Sequence, residues 1–124
     1  MRIFSTKAFG RFTDREDIGD DELREAVARA GAGRIDANLG GGVIKQRIAR
    51  KGGGKSGGFR TIVLFRREAL AFFVYGFAKN DRDNIRPDEL RAFRKLAAGM
   101  LRMDDAALAA AMKNGTLREV GCHG

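Results

Sequence analysis

Apolar and polar positions change period several times along the chain, and each change predicts an element. Val43 to Arg50, VIKQRIAR, alternates: Lys45, Arg47 and Ala49 fall on one side of an extended chain, and Ile44, Gln46, Ile48 and Arg50 on the other. Gly52, Gly53, Gly54, Gly57 and Gly58 interrupt that pattern before Phe59 to Arg66, FRTIVLFR, resumes it as a second strand. The connection exceeds the roughly two to five residues of an ordinary hairpin, which marks it as a functional loop. Arg67, Glu68 and Ala69 make the next turn. Ala71 to Lys79, AFFVYGFAK, is then apolar on both sides, with Phe73, Tyr75, Phe77 and Lys79 on one face and Phe72, Val74, Gly76 and Ala78 on the other. A strand of that kind is central and covered.

Helical spacing appears on either side of these strands. Arg2 to Phe4 predicts a short edge strand. Phe9 and Phe12 line one face of a helix over Thr6 to Thr13, with Ile18 closing the turn. Leu23, Ala26, Val27 and Ala30 define a second helix, capped by Asp20 or Asp21 and stopped by Gly31. Ala32 to Gly42 contains four glycines and reads as a connection with Ile35 and Leu39 turned inward. After the last long strand, Asp83 or Asn84 precedes Pro87, Asp88 and Glu89, the composition of a helix start, and Leu90, Phe93, Ala97, Met100 and Leu101 form the stripe that follows. Asp104 or Asp105 caps a further helix through Met112, ended by Asn114 and Gly115, and Thr116 to Val120 is an edge strand or a tail. There is no internal repeat. The expectation is an α+β domain, its antiparallel sheet packed by two N-terminal helices and by C-terminal helices.

Charge sharpens this picture. The chain of 124 residues is 44% apolar, enough for one core, and carries a formal net charge of +8. Such a balance favours a polyanionic partner, and the absence of a long basic amphipathic helix places nucleic acid ahead of an anionic membrane. From Val43 to Arg60 there are six basic residues and no acidic one. The single cysteine, Cys122, excludes an intrachain disulfide and a cysteine-rich zinc site and reads as an incidental thiol. The opening MRIFSTKAFG lacks the apolar run of a signal peptide, and no stretch reaches about 18 apolar residues, so a cytoplasmic protein is expected.

Two motifs are rejected by their context. Gly52 to Gly57 fits GxGxxG, and Gly54, Lys55 and Ser56 resemble the end of a phosphate loop, but both need a helix straight after the glycines, and FRTIVLF is a strand sequence. His123, the only histidine, is next to the last residue, which argues against imidazole-based catalysis. Most carboxylates sit at helix starts, where capping accounts for them. What remains is a cation-rich hairpin with a phenol nearby. It can hold RNA phosphates, stack bases on Phe or Tyr, and stabilise the charge that develops when a 2'-hydroxyl attacks the adjacent phosphorus. Lysines crowded by like charge have depressed pKa values, so Lys45, Lys55 or Lys79 can exchange a proton, while Arg47 and Arg60 stay charged. The bland alternatives are a solvated strand face for Lys45 and Arg47 and a core position for Tyr75.

GKSGGFRTIVLF followed by FFVYGFAKNDRDNI resembles the RelE/ParE superfamily of bacterial toxins, in its RelE-like and HigB-like branch. The resemblance covers residues 1–101 as a toxin domain and leaves 102–124 as a C-terminal helical extension and tail. It implies a small RelE-like fold and an mRNA endoribonuclease without metal or cofactor, acting in or on the ribosome and silenced by an antitoxin, here one with a helix-turn-helix domain. Carried over by position, Lys45 and Arg47 match the basic pair before the loop and Arg60 the arginine after the GG step. Lys55 lies in the loop, Lys79 ends the last strand, and Arg50, Lys51 and Arg82 add RNA-binding charge. The tyrosine typical of RelE-like members beyond the last strand would fall near Arg86, so Tyr75 or a lysine takes the acid/base role. ParE-like members inhibit DNA gyrase instead, and a non-catalytic RNA-binding module would bind RNA with steep salt dependence and leave it intact.

Overall fold

A computed structural model describes residues 1–49, 58–79 and 84–121. The elements run β1 (Arg2–Thr6), α1 (Lys7–Glu16), α2 (Asp20–Gly31), β2 (Ala37–Gly40), β3 (Val43–Ile48), β4 (Phe59–Arg66), β5 (Leu70–Ala78), α3 (Pro87–Met100), α4 (Asp105–Lys113) and β6 (Leu117–Glu119). They build one six-stranded sheet in the order β2-β3-β4-β5-β1-β6. All neighbours are antiparallel except β1 and β5, which are parallel. The expected α+β class therefore holds, with helices covering a mostly antiparallel sheet.

Strand alternation gives the sheet two apolar faces, each with its own core. Ile44, Ile48, Phe59, Val63 and Phe73 pack with Phe9, Phe12, Leu23, Ala26 and Val27 of α1 and α2. Val43, Ile62, Leu64 and Phe72 pack with Ala97 of α3, Leu108 of α4 and Leu117 of β6. Stacked rings reinforce both layers, Phe9 on Phe73 at 5.1 Å and Phe4 on Phe72 at 5.5 Å between centroids.

Several elements differ from the sequence expectation. β1 is not an edge: it lies between β5 and β6, and the Arg2 guanidinium meets the Glu119 carboxylate at 2.8 and 3.0 Å. The glycine-rich stretch before Val43 is not only a connection, because Ala37–Gly40 forms β2. Gly40 pairs with Val43 across a turn in which Gly41 and Gly42 take φ of 64° and 83°, the mirror-image hairpin turn that glycine makes cheap. The cap of α2 is Gly19, whose N–H donates to Glu22 at 3.0 Å, rather than Asp20 or Asp21. Asp20 instead accepts from the Gly121 N–H at 2.8 Å and ties the end of β6 to α2. The cap of α3 is Arg86 rather than Asn84 (Asp83 lies outside the described residues), and its N–H donates to Glu89 at 2.7 Å. Asp104 caps α4 as expected, accepting from Ala107 N–H at 2.8 Å.

The largest departure is in β5. Its register against β4 shifts between Ile62, opposite Tyr75, and Val63, opposite Phe73, so Val74 is an extra residue. Simple alternation puts Phe73 and Tyr75 together. With the bulge, Tyr75 joins the Phe72 face and Gly76 the Phe73 face, where a Cβ on Gly76 would lie 2.4 Å from the Phe12 ring.

Candidate nucleic-acid interface

The basic residues follow from the same alternation. In β3 the even positions face α2: Ile44 and Ile48 enter the core, and Gln46 is fully buried. The odd positions Lys45 and Arg47 therefore face the other way, on the α3 side of the sheet. Arg47 is the register partner of Arg60 on β4, and Arg60 in turn of Phe77 on β5. Lys45 lies in the adjacent row, opposite Ile62, which faces Tyr75. Directly opposed side chains stand about 4.5–5.5 Å apart at Cβ, so the two arginine side chains start from adjacent places on one face.

Arg47 and Arg60 also share a hollow of about 560 Å³ at the Ile48–Phe59 end of the β3–β4 pair, lined further by Glu25, Arg29, Ile48, Ala49 and Gly58. The arrangement is fixed from behind. Gln46 donates to the Ala26 carbonyl at 2.9 Å and accepts from the Asp36 N–H at 2.7 Å, which sets Asp36 beside β3. Asp36 accepts from the Arg47 N–H at 2.7 Å, lies 3.8 Å from the Arg47 guanidinium and pairs with Arg29 at 3.5 Å. Arg29 also donates to the Arg47 carbonyl and pairs with Glu25 at 2.8 Å. Arg60 makes no ion pair among the described residues, so its charge is available to a ligand.

The remaining expected site residues divide. Lys45 does not line the hollow; its ammonium reaches Asn84 Oδ1 at 3.4 Å, joining β3 to the segment that leads into α3. Tyr75 is half-buried, its ring 5.8 Å from Phe77 and 5.9 Å from Phe93. Lys79 is exposed in the turn after β5. Arg50, Lys51, Lys55 and Arg82 lie outside the described residues, as do Cys122 and His123. Sequence reasoning passed over Glu25, Arg29 and Asp36. Glu25 and Arg29 read as an ordinary i,i+4 surface pair of a helix, and Asp36 as part of a glycine-rich loop, so neither pattern pointed to the hairpin.

Lys45, Arg47 and Arg60 thus stand on one face of a sheet whose other face is covered by α1 and α2. Residues 1–120 match the family model described as RelE toxin of RelE / RelB toxin-antitoxin system, and the chain belongs to that family. It is thus a toxin component, and its family implies a cognate antitoxin. No curated relative matches the chain. Among the described residues no helix is long and apolar enough to cross a membrane.

Proposed function

We propose that the protein is an mRNA endoribonuclease that works without a metal, halts translation on the ribosome and is neutralised by an antitoxin with a helix-turn-helix domain. The observation that carries this reading is the cross-strand pair Arg47 and Arg60 at one hollow, with Lys45 in the next row of the same face. In the reaction the 2'-oxygen attacks the adjacent phosphorus, forming the O2'–P bond and breaking the P–O5' bond. The products are a 2',3'-cyclic phosphate and a 5'-hydroxyl. The 2'-hydroxyl proton passes to a base, and the departing 5'-oxygen takes up a proton. Arg60 stabilises the phosphorane charge, Arg47 and Lys45 hold phosphate oxygens, and a lysine, Lys55 or Lys79, or the Tyr75 phenol moves the protons.

Expression of wild type and Arg60→Ala, with transcript 5' ends mapped and RNA cleavage followed in the presence of a chelator, tests the proposal. Wild type should cut messages within minutes of induction, chelator or not, and Arg60→Ala should cut on the order of 10²–10³-fold more slowly. DNA damage preceding translation arrest would favour a gyrase poison, and RNA bound but left intact would favour a binding module.

A further inference from the structure

A second concentration of positive charge lies away from the hairpin. Lys7, Gly10, Arg11 and Asp14 follow one another at i, i+3, i+4 and i+7 along α1, so they share one helical face. Beside them, Arg118 of β6 projects from the side of the sheet that α1 covers, since it pairs with Ser5, which pairs with Phe73. Its guanidinium lies over Gly10, where a Cβ would be 4.0 Å from it. Together with Thr6 and Gly115 these residues bound a groove of about 250 Å³. Three cations against one carboxylate, Asp14, leave a net +2 there, and none of the three is ion-paired among the described residues. Three exposed cations on two elements around one carboxylate make a locally positive surface, which attracts a polyanion. Arg60 projects from the opposite face, three strand positions away in the sheet, roughly 14 Å at about 4.8 Å per step.

We propose that Lys7, Arg11 and Arg118 form a second RNA-binding groove, which holds backbone phosphates of a long RNA outside the hairpin hollow. The proposal rests on RNA being the polyanion, as in the reading above, but not on its being cut. A dinucleotide engages the hollow alone; a long RNA rounds the ends of the strands and engages both surfaces. Neutralising the groove therefore weakens long RNA selectively.

The test compares wild type with Lys7→Gln/Arg11→Gln/Arg118→Gln for binding of a long 2'-O-methylated oligouridylate across a salt series, and for cleavage of a short ribosome-bound message with the protein in saturating excess. The triple variant should bind the long oligomer at least tenfold more weakly, with the slope of log affinity against log salt shallower by roughly 2. Its cleavage of the ribosome-bound message at saturation should match wild type. Lys7→Arg/Arg11→Lys/Arg118→Lys should keep the wild-type slope, and single Arg118→Gln, which also guards against a misfolded triple variant, should flatten it by roughly 0.7. An unchanged slope with intact cleavage overturns the groove and leaves the nuclease reading standing. A flattened slope in a protein that cuts no message, with ribosomes or without, supports the groove and removes the nuclease. Lost antitoxin binding with unchanged RNA binding overturns the proposal in favour of an acidic protein surface.

Discussion

The two faces of the sheet are made by the same strands and end up unlike each other. On the α1/α2 face the apolar and satisfied polar positions run out to the strand ends: Ile48 and Phe59 are buried, and Gln46 and Thr61 are buried beside them, with the Thr61 hydroxyl donating to the Gln46 carbonyl at 2.9 Å. On the α3/α4 face the core holds at Val43, Ile62, Leu64 and Phe72 but gives way toward the hairpin end, to Lys45 and Arg47 on β3 and to Arg60 on β4. One closed face supplies the stability that lets the other carry like charges in a row. A single-residue slip of β3 would exchange the faces, burying cations and exposing isoleucines, so the register is strongly specified.

That division can be broken from either side. The largest effect on stability is expected on the closed face, where Phe73 is fully buried against Phe9. Phe73→Ala should cost ~3–5 kcal/mol, read as a fall in the urea midpoint, while RNA cleavage per folded molecule is retained. On the open face, Arg60→Ala should leave the urea midpoint within about 0.5 kcal/mol of wild type and remove most cleavage, a loss equivalent to ~2.7–4 kcal/mol. Equal losses in both assays for both variants would show that the faces are not separable in this way.

Gln46 joins the two, since it is buried on one face and sets Asp36 beside Arg47 on the other. Gln46→Leu leaves the Asp36 N–H without its partner, removes the bonds to the Ala26 and Arg34 carbonyls and should cost ~1–3 kcal/mol. It should also lower cleavage at temperatures where the variant is fully folded; unchanged cleavage there would mean that the Asp36 contacts do not position Arg47.

The smallest effect is expected at the β1–β6 edge. The Arg2 guanidinium holds the Glu119 carboxyl below its ordinary range through their hydrogen bonds. Because the folded value is lower than the unfolded one, the stabilisation is complete above the unfolded range near pH ~4.3 and disappears as pH falls through the folded value. The pair is largely exposed, so the gain is small. Glu119→Gln should be slightly less stable than wild type at neutral pH and indistinguishable from it in acid, by urea midpoints.

Much of the fold was legible because long runs with one period decide their own element: the β3–β4 hairpin, the strand nature of β5 and the helical stripes of α2 and α3 all appear in the apolar spacing, and α4 shows in its cap and stop residues. Three features were not. β2 is hidden because its glycines serve a tight turn that composition alone reads as loop. The bulge at Val74 is hidden because period-two reading assumes an unbroken ladder, and one extra residue moves Tyr75 to the other face. The caps at Gly19 and Arg86 are hidden because Glu22 and Glu89 supply the side chains, three residues inside the helix, while the cap residues offer only backbone. At the candidate site the cations were visible as charge on alternating positions. Their anchor Asp36 was not, because its role depends on a buried glutamine reaching across from β3.

The placement of β1 has a consequence for how the molecule is made. As β1 leaves the ribosome it has no neighbour to pair with until Leu70–Ala78 emerges, and its other flank stays open until Leu117–Glu119 is complete. Closing the sheet joins residues more than a hundred positions apart, the kind of contact that forms late and slowly. A nascent chain thus carries its cationic hairpin, from the completion of β4 to that of β6, on a scaffold that has not yet closed.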